Sequence, residues 1–508
     1  MRKVRKSGCS RKGTGTRCRL CSFLLRSDHH HHVHHPVLIT LDHTTSALPA
    51  PIIMASIIYT APSQHLALLD ISDATLKGPS KYDCLETVLP LTPPPEEEDV
   101  HKIVTPDIVT PITQDSNPLI AVIGVGYVGT HLVSNFSRHW DVLGFDVSEK
   151  RIEQIQQEDE FRTNERVKFS AQRPDLSEAT HFLISVPTLL LPNKTVDASY
   201  LKDAIQTVFK HARPGATIVI ESSVAIGMTR ELLGPLAKAR GCFAGMSPER
   251  VDPGRTEPPA YLIPKVISGL DDICPGSLAA ITRIYAPVFN TLVPVSRPEV
   301  AELTKLYENC QRMINIAYVN EMADACVGLD IDPYEVCNAA GTKPFGYMDY
   351  RPGLGVGGHC IPVNPWYLLS GCEMPLLRNA AERMNKRPRA IAKTYTENIG
   401  KFAGKNSGKP RVLVVGMGFK PGQSVLSYSP GLELARGLVE DSDELDVMFA
   451  DPLVSQSALP QIQKLDDRSW NVETLNEFDL VIVVMRQHGV DFDILSQAKD
   501  VRVKWWCS

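Results

Sequence analysis

The sequence predicts an α/β protein made of two doubly wound parallel-sheet domains joined by a helical central segment. Three observations carry that reading. Short apolar runs alternate with amphipathic stretches from residue 118, and the alternation restarts at residue 411; this is the pattern of βαβ units around a buried parallel sheet. Each series opens on a strand followed by a glycine turn, Gly124-x-Gly126-x-x-Gly129 and then Gly416-x-Gly418, so both domains are read as Rossmann-like. Between them lie two long helical patterns, residues 298–326 and 375–402.

Composition agrees with a folded chain. The 508 residues are 43% hydrophobic and 22% charged, and 53 Lys+Arg against 58 Asp+Glu leave a formal net charge of −5. At about 150 residues per domain, that length allows three domains and a tail. So balanced a charge gives no argument for nucleic acid as a partner. No run approaches the ~18 consecutive apolar residues of a membrane span, and a soluble, cytoplasmic protein is expected. Twelve cysteines without a dense spacing pattern read as reduced thiols.

Residues 1–117 stand apart. They are basic and acid-free as far as Arg26, then carry the run His29–His32 with His34 and His35, then proline-spaced polar sequence. No helical or strand period is sustained, so a disordered, low-complexity tail is expected. Its basic start fits a mitochondrial transit peptide or an over-extended start, with Met54 as the alternative opening residue. Cys18-x-x-Cys21 lies beside the histidines but no second pair follows it, so no metal is assigned.

The elements then follow in order. Leu119–Ile123 is a short apolar strand, residues 127–138 an amphipathic helix, and Asp141–Phe145 the second strand. Residues 181–186 and 217–221 are further buried strands. Gly124, Gly126 and Gly129, with Tyr127 and Val128 between them, form a turn whose backbone amides approach a pyrophosphate at a helix N-terminus. Asp146 closes the second strand, placed to accept from an adenosine ribose and to repel a 2′-phosphate, so NAD is the expected cofactor. In the second domain, Arg411–Val415, Asp446–Ala450 and residues 479–484 are the strands. No third glycine follows Gly418 at the fingerprint spacing, and Lys420 there suits a phosphate-bearing ligand. The expected domains are 118–297 (NAD-binding), 298–403 (helical, central) and 404–508 (ligand-binding α/β), with residues 404–408 as a linker.

The densest chemical signal is residues 353–365, where Gly353, Gly355, Gly357 and Gly358 crowd ahead of His359 and Cys360. Small residues around one thiol suit a cysteine that must reach a carbonyl carbon. His359 is read as a hydrogen-bonded loop residue. Lys305 and Asn309 stand at i and i+4 of one helix and share a face.

The run Ala121–Thr130, the segment Ser247-Pro248-Glu249-Arg250, the helix around residues 302–321 and the cysteine loop together resemble the UDP-glucose/GDP-mannose dehydrogenase family, over residues 118–508. The resemblance implies NAD-dependent oxidation of a nucleotide sugar's C6 alcohol to the carboxylate, as in polysaccharide biosynthesis. It implies two hydride transfers, with Cys360 holding the intermediate as a thiohemiacetal and then a thioester. Lys305 and Asn309 would donate to the oxygen that becomes anionic. Ser223 and Glu249 would handle water or position the sugar. Lys420, with Gly357 and Gly358, would contact the nucleotide sugar, and the central helix would form a homodimer. The cysteine loop and residues 247–254 look more like the UDP-N-acetylhexosamine branch, with UDP-glucose as runner-up and GDP-mannose behind it.

Three departures stand against the family pattern. Asn364 occupies the position, four residues after the cysteine, where the family has an aspartate; losing a general base there would cost about 10²–10⁴-fold. Ser427-Tyr428-Ser429-Pro430 lacks the family's arginine. The end, residues 501–508, lacks the usual last strand, and its adjacent Trp505 and Trp506 suggest a C-terminally truncated domain. The alternatives are therefore a nucleotide-sugar or NAD binding protein without turnover, and a one-step hydroxy-acid dehydrogenase.

Overall fold

The computed structural model describes residues 117–252, 255, 257–398, 400, 408–442 and 444–507. The expectations for the tail before residue 117, for Cys18-x-x-Cys21 and for residues 404–407 of the linker lie outside them.

In the first domain the strands are β1 (Leu119–Ile123), β2 (Asp141–Phe145), β3 (Val167–Ser170) and β4 (His181–Ile184), then the small hairpin β5 (Leu189–Leu190) and β6 (Val196–Asp197), then β7 (Thr217–Ile220), β8 (Phe243–Met246), β9 (Lys265–Gly269) and β10 (Leu292–Pro294). Eight of them form one sheet in the order β10-β9-β8-β7-β4-β1-β2-β3. All neighbours run parallel except β8 and β9. The central strands are apolar throughout because helices cover both faces. One face packs on α1 (Tyr127–Phe136), α2 (Glu149–Gln156), α3 (Asp159–Arg162) and α6 (Ser277–Tyr285), through Leu132, Phe136, Ile155, Phe161 and Ile284. The other packs on α4 (Ser199–His211) and α5 (Met228–Arg240), through Leu201, Ile205, Val208 and Leu233. Strand order reverses between β1 and β4, the place, at the carboxyl ends of the strands, where open α/β sheets bind their ligands.

The middle of the chain is helical: α7 (Pro298–Val327), α8 (Pro333–Gly341), the short α9 (Asn364–Leu369) and α10 (Pro375–Glu397). One core joins α7, α9 and α10 through Leu306, Met313, Tyr367, Leu368, Leu377 and Met384. Arg387 on α10 pairs with Asp324 on α7 and donates to the Gly353 carbonyl at 3.4 Å.

The second domain contains β11 (Arg411–Val415), α11 (Pro430–Glu440), β12 (Asp446–Ala450), β13 (Gln463–Lys464), α12 (Val472–Leu475), β14 (Leu480–Val483), α13 (Ile494–Gln497) and β15 (Arg502–Trp505). They form a five-stranded, all-parallel sheet ordered β13-β12-β11-β14-β15.

The end of the chain forms a strand: residues 502–505 pair with β14, and Val501 and Val503 pack beside Phe478 and Val481. The adjacent tryptophans follow from strand alternation, which sends neighbours to opposite faces. The Trp505 ring lies 4.5 Å from the Arg486 guanidinium, while the Trp506 indole donates to the Tyr395 hydroxyl at 3.0 Å. The second glycine turn also has its third glycine. Gly431, in the first turn of α11, is so close to the end of β11 that a Cβ there would stand 2.6 Å from the Gly416 carbonyl. Residues 419–430 separate it from Gly418, and a fixed-spacing motif cannot span that insertion.

Candidate active site

The turn at the end of β1 is built for close approach. Gly124 has φ +86, which an L side chain rarely adopts. A Cβ on Gly129 would lie 1.8 Å from the Gly124 carbonyl, so α1 can sit against the strand only with glycine there. Gly126 faces open space, and it begins α1 without a side-chain cap, so the helix N-terminus is presented at the turn, where an anion is favoured. Asp146 is half-buried just past β2; its Oδ2 accepts from the Val125 amide at 3.1 Å and its Oδ1 from the Ser148 amide at 2.9 Å. Val128 packs on the core, and exposed Tyr127 donates from its hydroxyl to the Asp252 carbonyl at 3.4 Å. An uncapped helix end, an empty glycine cradle and an accessible carboxylate suit a dinucleotide's pyrophosphate and ribose.

On the other side, α7 turns Glu302, Lys305 and Asn309 to one buried face. Lys305 donates from Nζ to the Glu249 carbonyl. Burial pulls its amine below the usual lysine range, while the nearby Cys360 and Glu249 charges pull it back up. Asn309 donates to the Asn364 side-chain oxygen, and its own oxygen accepts from Arg312. Glu302 accepts from the Gly227 and Thr229 amides at 2.6 and 2.9 Å, fixing α7 to the start of α5.

The cysteine loop is held at both ends by α7. Fully buried Asn320 accepts from the Gly353 amide at 2.9 Å, and Asn364, whose own amide donates to the Cys360 carbonyl at 2.9 Å, meets Asn309. Cys360 itself is partly exposed. Gly357 and Gly358 pack against the second domain. A Cβ on either would stand 2.9 or 2.8 Å from the Phe419 side chain, so these glycines admit the 419–430 segment of the second domain. The Gly358 amide donates to the Ser427 carbonyl at 3.3 Å. His359 is exposed.

Glu249 is held through its carboxylate. Its Oε1 accepts from the Arg250 and Val251 amides at 2.7 and 3.0 Å, and its Oε2 from Lys265 at 2.7 Å. The carboxylate is thus engaged inside the domain, and the backbone carbonyl is what faces Lys305. Ser223 is half-buried, with its carbonyl accepting from the Thr188 hydroxyl at 2.7 Å. Lys420 is half-buried and pairs with Asp252 at 3.1 Å. Asp252 therefore meets both Tyr127 from the glycine turn and Lys420 from the second domain.

Sequence reading missed Lys265, Glu221, Glu302, Arg312 and Asn320. The spacing of Glu302 and Asn320 on the face of Lys305 and Asn309 was the available signal; the other three have none in local pattern. A cavity of ≈ 500 Å³ reaches the back of the cysteine loop through Val356 and Pro362. It touches neither Cys360 nor Lys305, so the reacting centre lies elsewhere.

Residues 118–289 match the model of the UDP-glucose/GDP-mannose dehydrogenase family, NAD binding domain, and residues 299–387 match its central domain. The chain is 32% identical to a UDP-N-acetyl-D-glucosamine 6-dehydrogenase of Pseudomonas aeruginosa, over 66% of this chain and 83% of that protein. It is 33% identical to Protein CapL of Staphylococcus aureus, over 57% of this chain and 69% of the relative. Among solved structures, a UDP-D-ManNAc dehydrogenase from Pyrococcus horikoshii is similar with a TM-score of 0.67 at 26% identity, covering 76% of this chain and 94% of that one.

Proposed function

Because the chain belongs to the UDP-glucose/GDP-mannose dehydrogenase family and carries its NAD binding domain, we propose that it oxidises the C6 hydroxyl of a UDP-N-acetylhexosamine to the uronate. One observation carries the reading: a partly exposed thiol, Cys360, sits on a loop tied through Asn364 to Asn309, which shares a buried helix face with Lys305. NAD, when bound, supplies the acceptor for the two oxidations.

The chain's own residues account for the rest. Cys360 adds through sulfur to the aldehyde carbon, so the intermediate stays bound, and the second oxidation leaves a thioester that water cleaves. Lys305 donates to the oxygen that gains charge, held in place by the Glu249 carbonyl. Asn309 is fixed by Arg312 and Asn364. Lys420, beside Asp252 at the edge of the second domain, would meet the nucleotide's phosphates. The outward face of α7, with Tyr307 64% and Tyr318 73% exposed beside Val300 and Leu303, supports a homodimer through the central segment.

The test uses the full chain with NAD and, separately, UDP-N-acetylglucosamine, UDP-N-acetylmannosamine and UDP-glucose. Two NADH per sugar are expected from an acetylhexosamine substrate, and Cys360→Ala should lower turnover about 10³-fold or more. One NADH per sugar, surviving Cys360→Ala, would mean a one-step dehydrogenase. A second reading rests on Asn364, whose amide cannot take a proton: nucleotide-sugar binding without any NADH would support it.

A further inference from the structure

The first domain buries a lysine that this scheme does not use. Lys265 opens β9 with its side chain 3% exposed, and Nζ stands 2.7 Å from both Glu221 Oε2 and Glu249 Oε2. Glu221, just past β7, receives the Tyr285 hydroxyl from α6 on its other oxygen. The Phe289 ring closes over the ammonium at 5.4 Å. Two carboxylates from two separate strand ends are therefore tied to one buried cation. Such a site is strongly destabilised when a partner is removed, because a charge is left uncompensated.

The arrangement has a consequence at the thiol. With its carboxylate drawn inward to Lys265 and to two backbone amides, Glu249 turns its carbonyl outward, where it accepts from Lys305. We propose that Lys265 is a positioning residue for the reacting centre: by clamping Glu249 to Glu221 it aims the Glu249 carbonyl at Lys305 and so holds the Lys305 amine beside Cys360. This rests on the reading that Cys360 and Lys305 form that centre. It also assigns Glu249 an indirect role, carried by its backbone.

The readout is alkylation of Cys360 by iodoacetamide at pH 7, followed by mass spectrometry of the peptide that carries it, in the full-length protein. A cation held beside a thiol speeds its attack on an alkylating reagent. Lys265→Met is expected to slow alkylation about tenfold and lower kcat at least tenfold, and Lys265→Arg to restore both to within about threefold. A merely structural role predicts the opposite sign, since a loosened loop exposes the thiol and speeds alkylation. Should Lys265→Met not fold, Lys265→Met/Glu221→Gln leaves one buried charge held by two amides, and thermal melting verifies its fold. Slowed alkylation in that variant supports the proposal, and unchanged or faster alkylation overturns it. The alkylation result stands whether or not the wild-type protein makes NADH, so failure of the proposed activity and failure of the clamp are told apart.

Discussion

Gly124 and Gly416 end equivalent strands with nearly the same backbone angle, φ +86 and φ +88, yet their surroundings differ. Beside the first, Gly126 faces open space and α1 begins uncapped. Beside the second, the chain fills its own cradle. A Cβ on Gly418 would meet the Gln423 carbonyl at 2.2 Å, and Ser429 caps α11 by accepting from the Leu432 amide at 3.2 Å. The acids after the second strands divide in the same way. Asp146 is half-buried with two amide partners. Asp451 is fully buried and accepts from the Met417, Gly418 and Leu453 amides and from Gln487. The same turn thus serves a ligand in one domain and a loop in the other. The loop that fills the second turn is the one that presses Phe419 against Gly357 and Gly358 of the cysteine loop.

The largest expected effect comes from exchanging the roles of the two acids. Asp451→Ala leaves four donors without their acceptor and should destabilise the protein by about 3 kcal/mol or more in denaturant titration, with NAD affinity of the folded protein unchanged. Asp146→Ala should do the reverse, weakening NAD about tenfold to a hundredfold by calorimetry with little change in stability. Equal effects on both observables would erase the distinction.

Buried lysines separate the domains as well, since among the described residues both, Lys265 and Lys305, lie outside the second one. Desolvation pushes the Glu221 carboxyl up to about 7 from its ordinary 4.5, against the pull of Lys265. Between those values the folded protein holds a proton that the unfolded chain has released. Its contribution is therefore complete below pH 4.5 and is lost as pH rises through 7. The denaturation midpoint should fall across that window, with an upper bound on the order of 3 kcal/mol. Glu221→Gln should flatten the slope. A slope unchanged in that variant would place the titrating group elsewhere.

The glycines give the smallest effects. Gly418→Ala pushes a methyl into the Gln423 carbonyl and should cost about 2 kcal/mol without touching NAD. Gly126→Ala meets nothing in the protein. It should fold normally and weaken NAD about tenfold, because the methyl stands where backbone must approach the pyrophosphate.

Much of this was legible locally. The strand runs, the first glycine turn with Asp146, and the helix face shared by Lys305 and Asn309 each depend on residues close in sequence. The reading failed where partners are distant or spacing is interrupted. Gly431 was missed because residues 419–430 stand in the middle of the motif. The partner of the Glu249 carboxylate, Lys265, lies on another strand and leaves no local signal. The strand at residues 502–505 takes its register from β14, not from its own composition.

By itself, then, the sequence determined the α/β class, the order of its elements and which residue types are available for chemistry, since backbone angles and burial periods are written in short stretches. Tertiary structure alone decided which turn stays open, where Glu249 points and which carbonyl Lys305 meets. Those outcomes depend on packing between segments far apart in the chain, where a single loop or one desolvated pair changes what a motif can do.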